Sequence, residues 1–260
     1  DSGEVLEGTK FKVQLKIATS FLPAMGYEIL KVCFNETTEN NIDGDVTVFE
    51  NGAENKYLKI KIEANETVTA ANKITNETYH NLNTFVEKGD DGDEYNYSPC
   101  VDDQEICLND TKPTITLIES SPIEVKYRLI YKTMVPEKVV DHHRVAELKE
   151  LNIISDVSLK ANSQTIDFKT TVENHSSDHI VRVTFDDLYE SLQNCSQDQF
   201  GTIIRDNVIG NQKSLEDGAT EYVLPIYAMQ RFVKLNHQNS IMALISKGPL
   251  EYEVEANQRL

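Results

Sequence analysis

Hydrophobic side chains recur at every second residue in segment after segment of this chain, and a period of two commits a backbone to strands. Phe11-Lys12-Val13-Gln14-Leu15-Lys16-Ile17 alternates apolar with polar, and so does Leu58-Lys59-Ile60-Lys61-Ile62. Successive Cβ atoms leave opposite sides of the pleat, so each segment turns one face to a core and the other to water. The same reading applies to 28–35, 46–50, 123–135, 154–160, 165–173, 180–185, 231–235 and 241–246. Turn-forming residues separate them at Asp43-Gly44, Asn51-Gly52, Gly89-Asp90-Asp91-Gly92, Asn162-Ser163, Asp217-Gly218 and Gly248-Pro249. The stretch 144–151 is rich in helix formers, but Val145, Leu148 and Leu151 make too short a pattern for a helix. It reads as a turn or a strand edge. Strands at a spacing of roughly 8–12 residues predict an all-β fold. The expected architecture is a large antiparallel β-sandwich, resembling a supersandwich, with a small preceding β-segment over 1–50 and the main domain over 51–260.

Charge narrows the partners. Acidic residues outnumber basic ones 43 to 25, for a formal net charge of −18. A field of that sign repels phosphate backbones and anionic lipid, so neither nucleic acid nor a membrane surface is expected as a partner. Every apolar run falls well short of the roughly 20 residues that span a bilayer. The opening Asp1-Ser2-Gly3-Glu4 lacks a secretory pattern, and both ends read as cuts from a longer polypeptide. The four cysteines, Cys33, Cys100, Cys107 and Cys195, are too sparse for a disulfide scaffold and read as reduced thiols. Asn-x-Ser/Thr triplets begin at Asn35, Asn65, Asn76, Asn96, Asn109, Asn174 and Asn194; a secreted glycoprotein or a chain rich in Asn and Thr would both show them.

The stretch 88–110 is acidic, poor in aliphatic residues and long, which predicts a loop of the kind that usually carries function. It gathers Asp90, Asp91, Asp93, Glu94, Tyr95 and Tyr97. Closely set carboxylates can bind Ca²⁺, act as general acid or base, or hydrogen-bond sugar hydroxyls beside stacking tyrosines. The calcium reading fails because the alternating oxygen pattern and closing Glu are missing; a plain solvated acidic loop stays open. Asp141-His142-His143 resembles a metal triplet, yet neighbouring histidines on a strand face opposite ways. His175 and His179 would lie roughly 13 Å apart along a strand, too far for one ion. A hairpin turn at Ser176-Ser177 accounts for them more simply.

Several longer motifs go further. Thr75-Asn76-Glu77-Thr78-Tyr79-His80-Asn81-Leu82-Asn83 is followed by Gly89-Asp90-Asp91-Gly92-Asp93-Glu94-Tyr95-Asn96-Tyr97-Ser98-Pro99. Then come Ile166-Asp167-Phe168-Lys169-Thr170-Thr171-Val172-Glu173-Asn174, Asp178-His179-Ile180-Val181-Arg182-Val183 and Asp198-Gln199-Phe200-Gly201. Met229-Gln230-Arg231-Phe232-Val233 and Gly248-Pro249-Leu250-Glu251-Tyr252-Glu253-Val254 complete the series. In this order, over 54–254, the chain resembles the C-terminal β-domain of the bacterial glycoside hydrolase family 38 α-mannosidases.

The resemblance implies a parent enzyme that is a retaining, zinc-dependent hydrolase of terminal α-linked mannose. Its zinc ligands and nucleophile would lie in a missing N-terminal catalytic domain, so no catalytic or metal residue and no cofactor is assigned to this chain. The implied partners are that catalytic domain and a mannose-containing carbohydrate. Asp90, Asp91, Asp93, Glu94, Tyr95 and Tyr97 become the candidate substrate-binding residues, bordering the sugar pocket of the intact enzyme. The resemblance also implies a bacterial cytoplasmic location, and Arg182 and Asp178 read as a strand-end ion pair or capping turn. An incomplete sheet edge would invite pairing with a second copy, a homo-oligomer. Two other readings stand beside this one: an autonomous carbohydrate-binding sandwich with Tyr95 and Tyr97 as platforms, and a plain interaction or adhesion module.

Overall fold

A computed structural model describes residues 24–31, 43–65, 67–93, 95–189, 191–207, 226–236, 241–255 and 259–260. The alternation is borne out: the described residues are almost entirely strand and turn, with one 3₁₀ turn at Leu108–Thr111. The first sheet runs in the order β1 (Thr47–Phe49), β2 (Gly52–Glu54), β3 (Leu58–Ile62), β4 (Val68–Asn72), β5 (Thr78–Gly89) and β13 (His179–Phe185). The short β6 (Ile106–Cys107) also pairs with β5. The second sheet has the order β12 (Ile166–Glu173), β11 (Leu148–Lys160), β8 (Glu124–Pro136) and β7 (Thr114–Ser120). All these pairings are antiparallel, and β8 and β11 stay in register from Leu148↔Pro136 to Lys160↔Glu124.

The two sheets face each other across one core. Ile60, Val68, Leu82 and Phe85 of the first sheet share a buried apolar cluster with Leu129, Tyr131, Ile153 and Val157 of the second. Phe85 meets Tyr131 edge to face, ring centroids 5.1 Å apart, an arrangement that places the positive edge of one ring on the negative face of the other. Polar links cross the same interface. The Tyr127 hydroxyl donates to the Gly52 carbonyl at 3.0 Å, and Asn83 Nδ2 donates to Ser155 Oγ at 2.9 Å. A third sheet, β15 (Gly201–Asp206), β14 (Gln193–Asp198), β17 (Phe232–Asn236) and β18 (Ile241–Ile245), covers a second cluster of Met229, Val233, Leu235, Tyr252, Val254 and Leu260. Leu244 touches both clusters.

Several expectations change. The loop expected over 88–110 is shorter: β5 runs on to Gly89, and 106–111 returns as strand and 3₁₀ turn. β5 was hidden because its pattern breaks. Asn81 and Asn83 take positive φ of 50° and 60°, and the register with β13 slips between Thr184 and Phe185. A bulge of this kind moves the apolar set to the other phase. β14 escaped because its buried residues, Asn194, Cys195 and Ser196, are small or polar. The 144–151 stretch is the end of β10 (His143–Arg144), a short link and the start of β11, as a strand edge should be. Residues 28–31 form no strand, while 32–35, the Phe11–Ile17 alternation and the turn Asp217-Gly218 lie outside the described residues. β1, which precedes residue 50, is hydrogen-bonded to β2.

Candidate functional site

The fold delivers the acidic segment to one place, the loop 90–105 between β5 and β6. Its entry is fixed by the strand beside it, where Asp90 N donates to Asp178 O at 2.9 Å. Asp178 can present that carbonyl because it sits at φ 53°, a conformation Asp tolerates better than most residues. Its own carboxylate accepts from Val139 N at 3.1 Å.

Two aspartates wind the loop tip. Asp90 Oδ1 accepts from Gly92 N and Ser98 N, each at 3.0 Å. Asp93 Oδ1 accepts from Tyr95 N and Asn96 N, each at 2.9 Å, and those amides hold its carboxyl below its ordinary value. Asp91 N closes the tip onto Ser98 O at 2.7 Å. Gly92 is required here: a Cβ would lie 1.8 Å from the Asn96 carbonyl oxygen.

Asp91 reaches across to a neighbouring turn instead. Its Oδ2 lies 2.5 Å from His142 Nδ1, and this contact raises the imidazole above its ordinary range. His142 belongs to the two-residue turn between β9 (Val139–Val140) and β10, where Asp141 and His142 both have positive φ. So Asp141-His142 is a turn that clips the loop, and His143 opens β10. Among the described residues no group of three His, Cys, Asp or Glu side chains is placed to hold a metal ion.

The tyrosines diverge. Tyr95 stands 83% exposed at the tip. Tyr97 is half-buried, with the Arg182 guanidinium 5.0 Å over its ring; burial raises its phenol, and Arg182 and Lys88 offset part of that. Arg182 reaches Glu253 at 3.4 Å, so the expected Arg182–Asp178 ion pair gives way to Arg182–Glu253, and only the capping role of Asp178 stands. Burial raises the Glu253 carboxyl, with Arg182 pulling the other way. Glu94 lies outside the described residues.

The structure therefore brings Asp90, Asp91, Asp93, Tyr95 and Tyr97 into one compact loop. It also adds residues that the sequence reading passed over: Glu87, Asp103, Arg144 and Glu253. His179 points into the same region, its Nδ1 2.9 Å from Glu87 Oε1 and its Nε2 3.0 Å from Asn174 Oδ1. No local pattern could have revealed these partners, which come from segments far apart in the chain. Chemically the loop offers carboxylate oxygens held in a rigid frame beside an exposed aromatic face, a combination that suits sugar hydroxyls and C–H faces.

Comparison with known proteins gives one consistent pattern. The profile of the Glycosyl hydrolases family 38 C-terminal domain matches residues 53–260. A "Putative mannosylglycerate hydrolase" from Halalkalibacterium halodurans is 20% identical over 220 residues, covering 78% of this chain and 24% of its own length. Among solved structures, an alpha-mannosidase from Enterococcus faecalis V583 superposes with a TM-score of 0.76 at 26% identity, over 84% of this chain and 26% of that one. A second structure from Enterococcus faecalis, of a protein in the glycosyl hydrolase family 38, gives 0.74 at 25% identity, over 84% and 27%. The chain spans about a quarter of the length of these relatives.

Proposed function

From the premise that this chain belongs to the glycosyl hydrolase family 38 C-terminal domains, we propose that it is the accessory β-domain of a longer, retaining, zinc-dependent α-mannosidase. In this role it braces an N-terminal catalytic domain and lends the Asp90–Tyr97 loop to the border of the pocket for terminal α-linked mannose. The observation that carries the reading is the likeness of 84% of this chain to about a quarter of an alpha-mannosidase, which leaves room for a separate catalytic part.

The proposal places zinc in that other part; among the described residues of this chain no group of three His, Cys, Asp or Glu side chains is placed to hold it. What the present residues supply is binding and orientation. Asp90 and Asp93 wind the tip, Tyr95 faces outward, Asp91 is clipped to His142, and Tyr97 is held by Arg182. Rigid placement matters because a hydrogen-bond acceptor that is already positioned costs little to order when the sugar arrives. A bacterial cytoplasmic location belongs to the same proposal, supported by the bacterial organisms of the relatives.

The test is hydrolysis of a chromogenic α-mannoside by the longer natural polypeptide, with and without a zinc chelator, and with this chain alone as control. Chelator-sensitive turnover in the longer protein and none in this chain supports the accessory role. Turnover by this chain alone overturns it. The 83% exposure of Tyr95 favours one second reading, an autonomous carbohydrate-binding module; saturable heat of binding when mannose is titrated into this chain would select it.

A further inference from the structure

Beneath the acidic loop lies a cluster of ionisable side chains with no place in the binding role described above. The Glu87 side chain is fully buried, and those of Arg144, Asp103 and His179 are only 10%, 10% and 3% exposed. They come from separate elements: Glu87 from β5 just before the loop opens, His179 from β13, Arg144 from β10 and Asp103 from the loop's far end. Arg144 Nη2 donates to Glu87 Oε1, while its Nη1 lies 3.3 Å from Asp103 Oδ1. Asp103 Oδ2 in turn accepts from Gly89 N at 2.7 Å. A single guanidinium therefore ties the strand that enters the loop to the residue that leaves it. The entry strand is packed hard on that tie, because a Cβ on Gly89 would lie 2.8 Å from Arg144 Cδ.

Burying charges is expensive, and an apolar set of the same volume is often at least as stable. A buried fork is more informative as a geometric device, since a planar guanidinium satisfies two carboxylates only in one relative placement. The contacts farther out cannot do this work alone: the His142 side chain is 75% exposed, so its clip on Asp91 competes with water.

We propose that Arg144 is a positioning residue that, through Glu87 and Asp103, fixes both ends of the 90–105 loop. It thereby sets where Asp91, Tyr95 and Tyr97 stand against the sugar. The second step rests on the reading that this loop borders the mannose pocket.

The test uses the longer natural protein carrying Arg144→Met, with Arg144→Lys as the variant that keeps the charge but cannot span two carboxylates. Amide hydrogen exchange is read at Gly92, Tyr95, Asn96 and Val101 in the loop and at Leu151 and Ile153 in the core. KM and kcat for an α-mannoside are measured beside it. Loss of the fork predicts loop amides accelerated at least about tenfold more than the core amides, and KM raised more than kcat is lowered. Arg144→Lys, which is expected to fold even if Arg144→Met does not, should show the same pattern at smaller amplitude. Unchanged loop exchange in a folded variant, or equal acceleration in loop and core, overturns the proposal. Faster loop exchange with unchanged KM keeps Arg144 as the tether and overturns the pocket role of the loop instead.

Discussion

Truncating Phe85 to Ala probes the joint on which the whole arrangement depends. Phe85 lies on β5, which leads directly into the acidic loop, and it is 2% exposed between the two sheets. A buried phenylalanine removes roughly 150–250 Å² from water. Leaving only Cβ forfeits on the order of 120 Å² of that, or about 3 kcal/mol at about 25 cal/mol/Å². The lost edge-to-face contact with Tyr131, at 5.1 Å, adds about 0.5–1 kcal/mol. The sum, about 3.5–4 kcal/mol, falls within the range of about 3–5 kcal/mol for such truncations and is a large part of a typical domain's stability. Urea unfolding followed by circular dichroism would read it as a lowered midpoint at constant slope. Ile245→Ala on the edge strand β18, at a site 76% exposed, serves as control and should stay within about 0.5 kcal/mol. A loss below about 1 kcal/mol for Phe85→Ala would refute the packing of one sheet on the other at this point.

Other outcomes follow from single contacts. Asn83→Ala leaves Ser155 Oγ without its donor and forces Ala to φ 60°, so it should cost about 2–4 kcal/mol; the double variant with Ser155→Ala should cost less than the sum of the two singles. Tyr127→Phe removes one hydroxyl–carbonyl bond between the sheets and should cost about 1 kcal/mol in the same unfolding assay. Asp156 is held below its ordinary value chiefly by the paired hydrogen bonds from Arg128, at 2.7 and 2.8 Å. Its contribution is present above the unfolded-state pKa and lost as pH falls through the folded one, so Arg128→Met should flatten the acid limb of the stability–pH curve. His142 has the opposite sign: its raised pKa means that the clip to Asp91 is complete below the ordinary imidazole range and lost as pH rises through the folded value. Loop amide exchange should accelerate with rising pH beyond the intrinsic base dependence, and His142→Asn should abolish that excess.

Much of the fold could be read from alternation because the two facing sheets are one-sided. In β8, which the sequence reading placed at 123–135, buried and less buried residues trade places from Val125 to Tyr131, and β17 of the third sheet alternates likewise; β13 and β18 were also placed within a residue or two. Alternation failed where something other than an apolar side chain was buried. Asn194 and Ser196 fill the inner face of β14, and the bulge at Asn83 shifts the phase of β5 midway. At the site, composition marked the Asp90–Tyr97 segment because carboxylates and tyrosines are dense there. It did not distinguish Asp90 and Asp93, each of which holds backbone amides, from Asp91, which reaches out to His142. Nor could it show that Glu87, Asp103 and Arg144 meet, since burial of a charge depends on partners brought together only by the finished sheets.

The most direct measurement concerns the loop itself in the longer natural protein. Tyr95→Ala is the cleanest variant, because an exposed ring can be removed without disturbing the hydrogen bonds that wind the tip; Asp91→Ala and Asp93→Ala complete the set. The account predicts that each raises KM for an α-mannoside by about five- to tenfold, the loss of one stacking or hydrogen-bonding contact, while the domain's unfolding midpoint holds for Tyr95→Ala. Unchanged KM and kcat in all three would contradict the placement of this loop at the sugar.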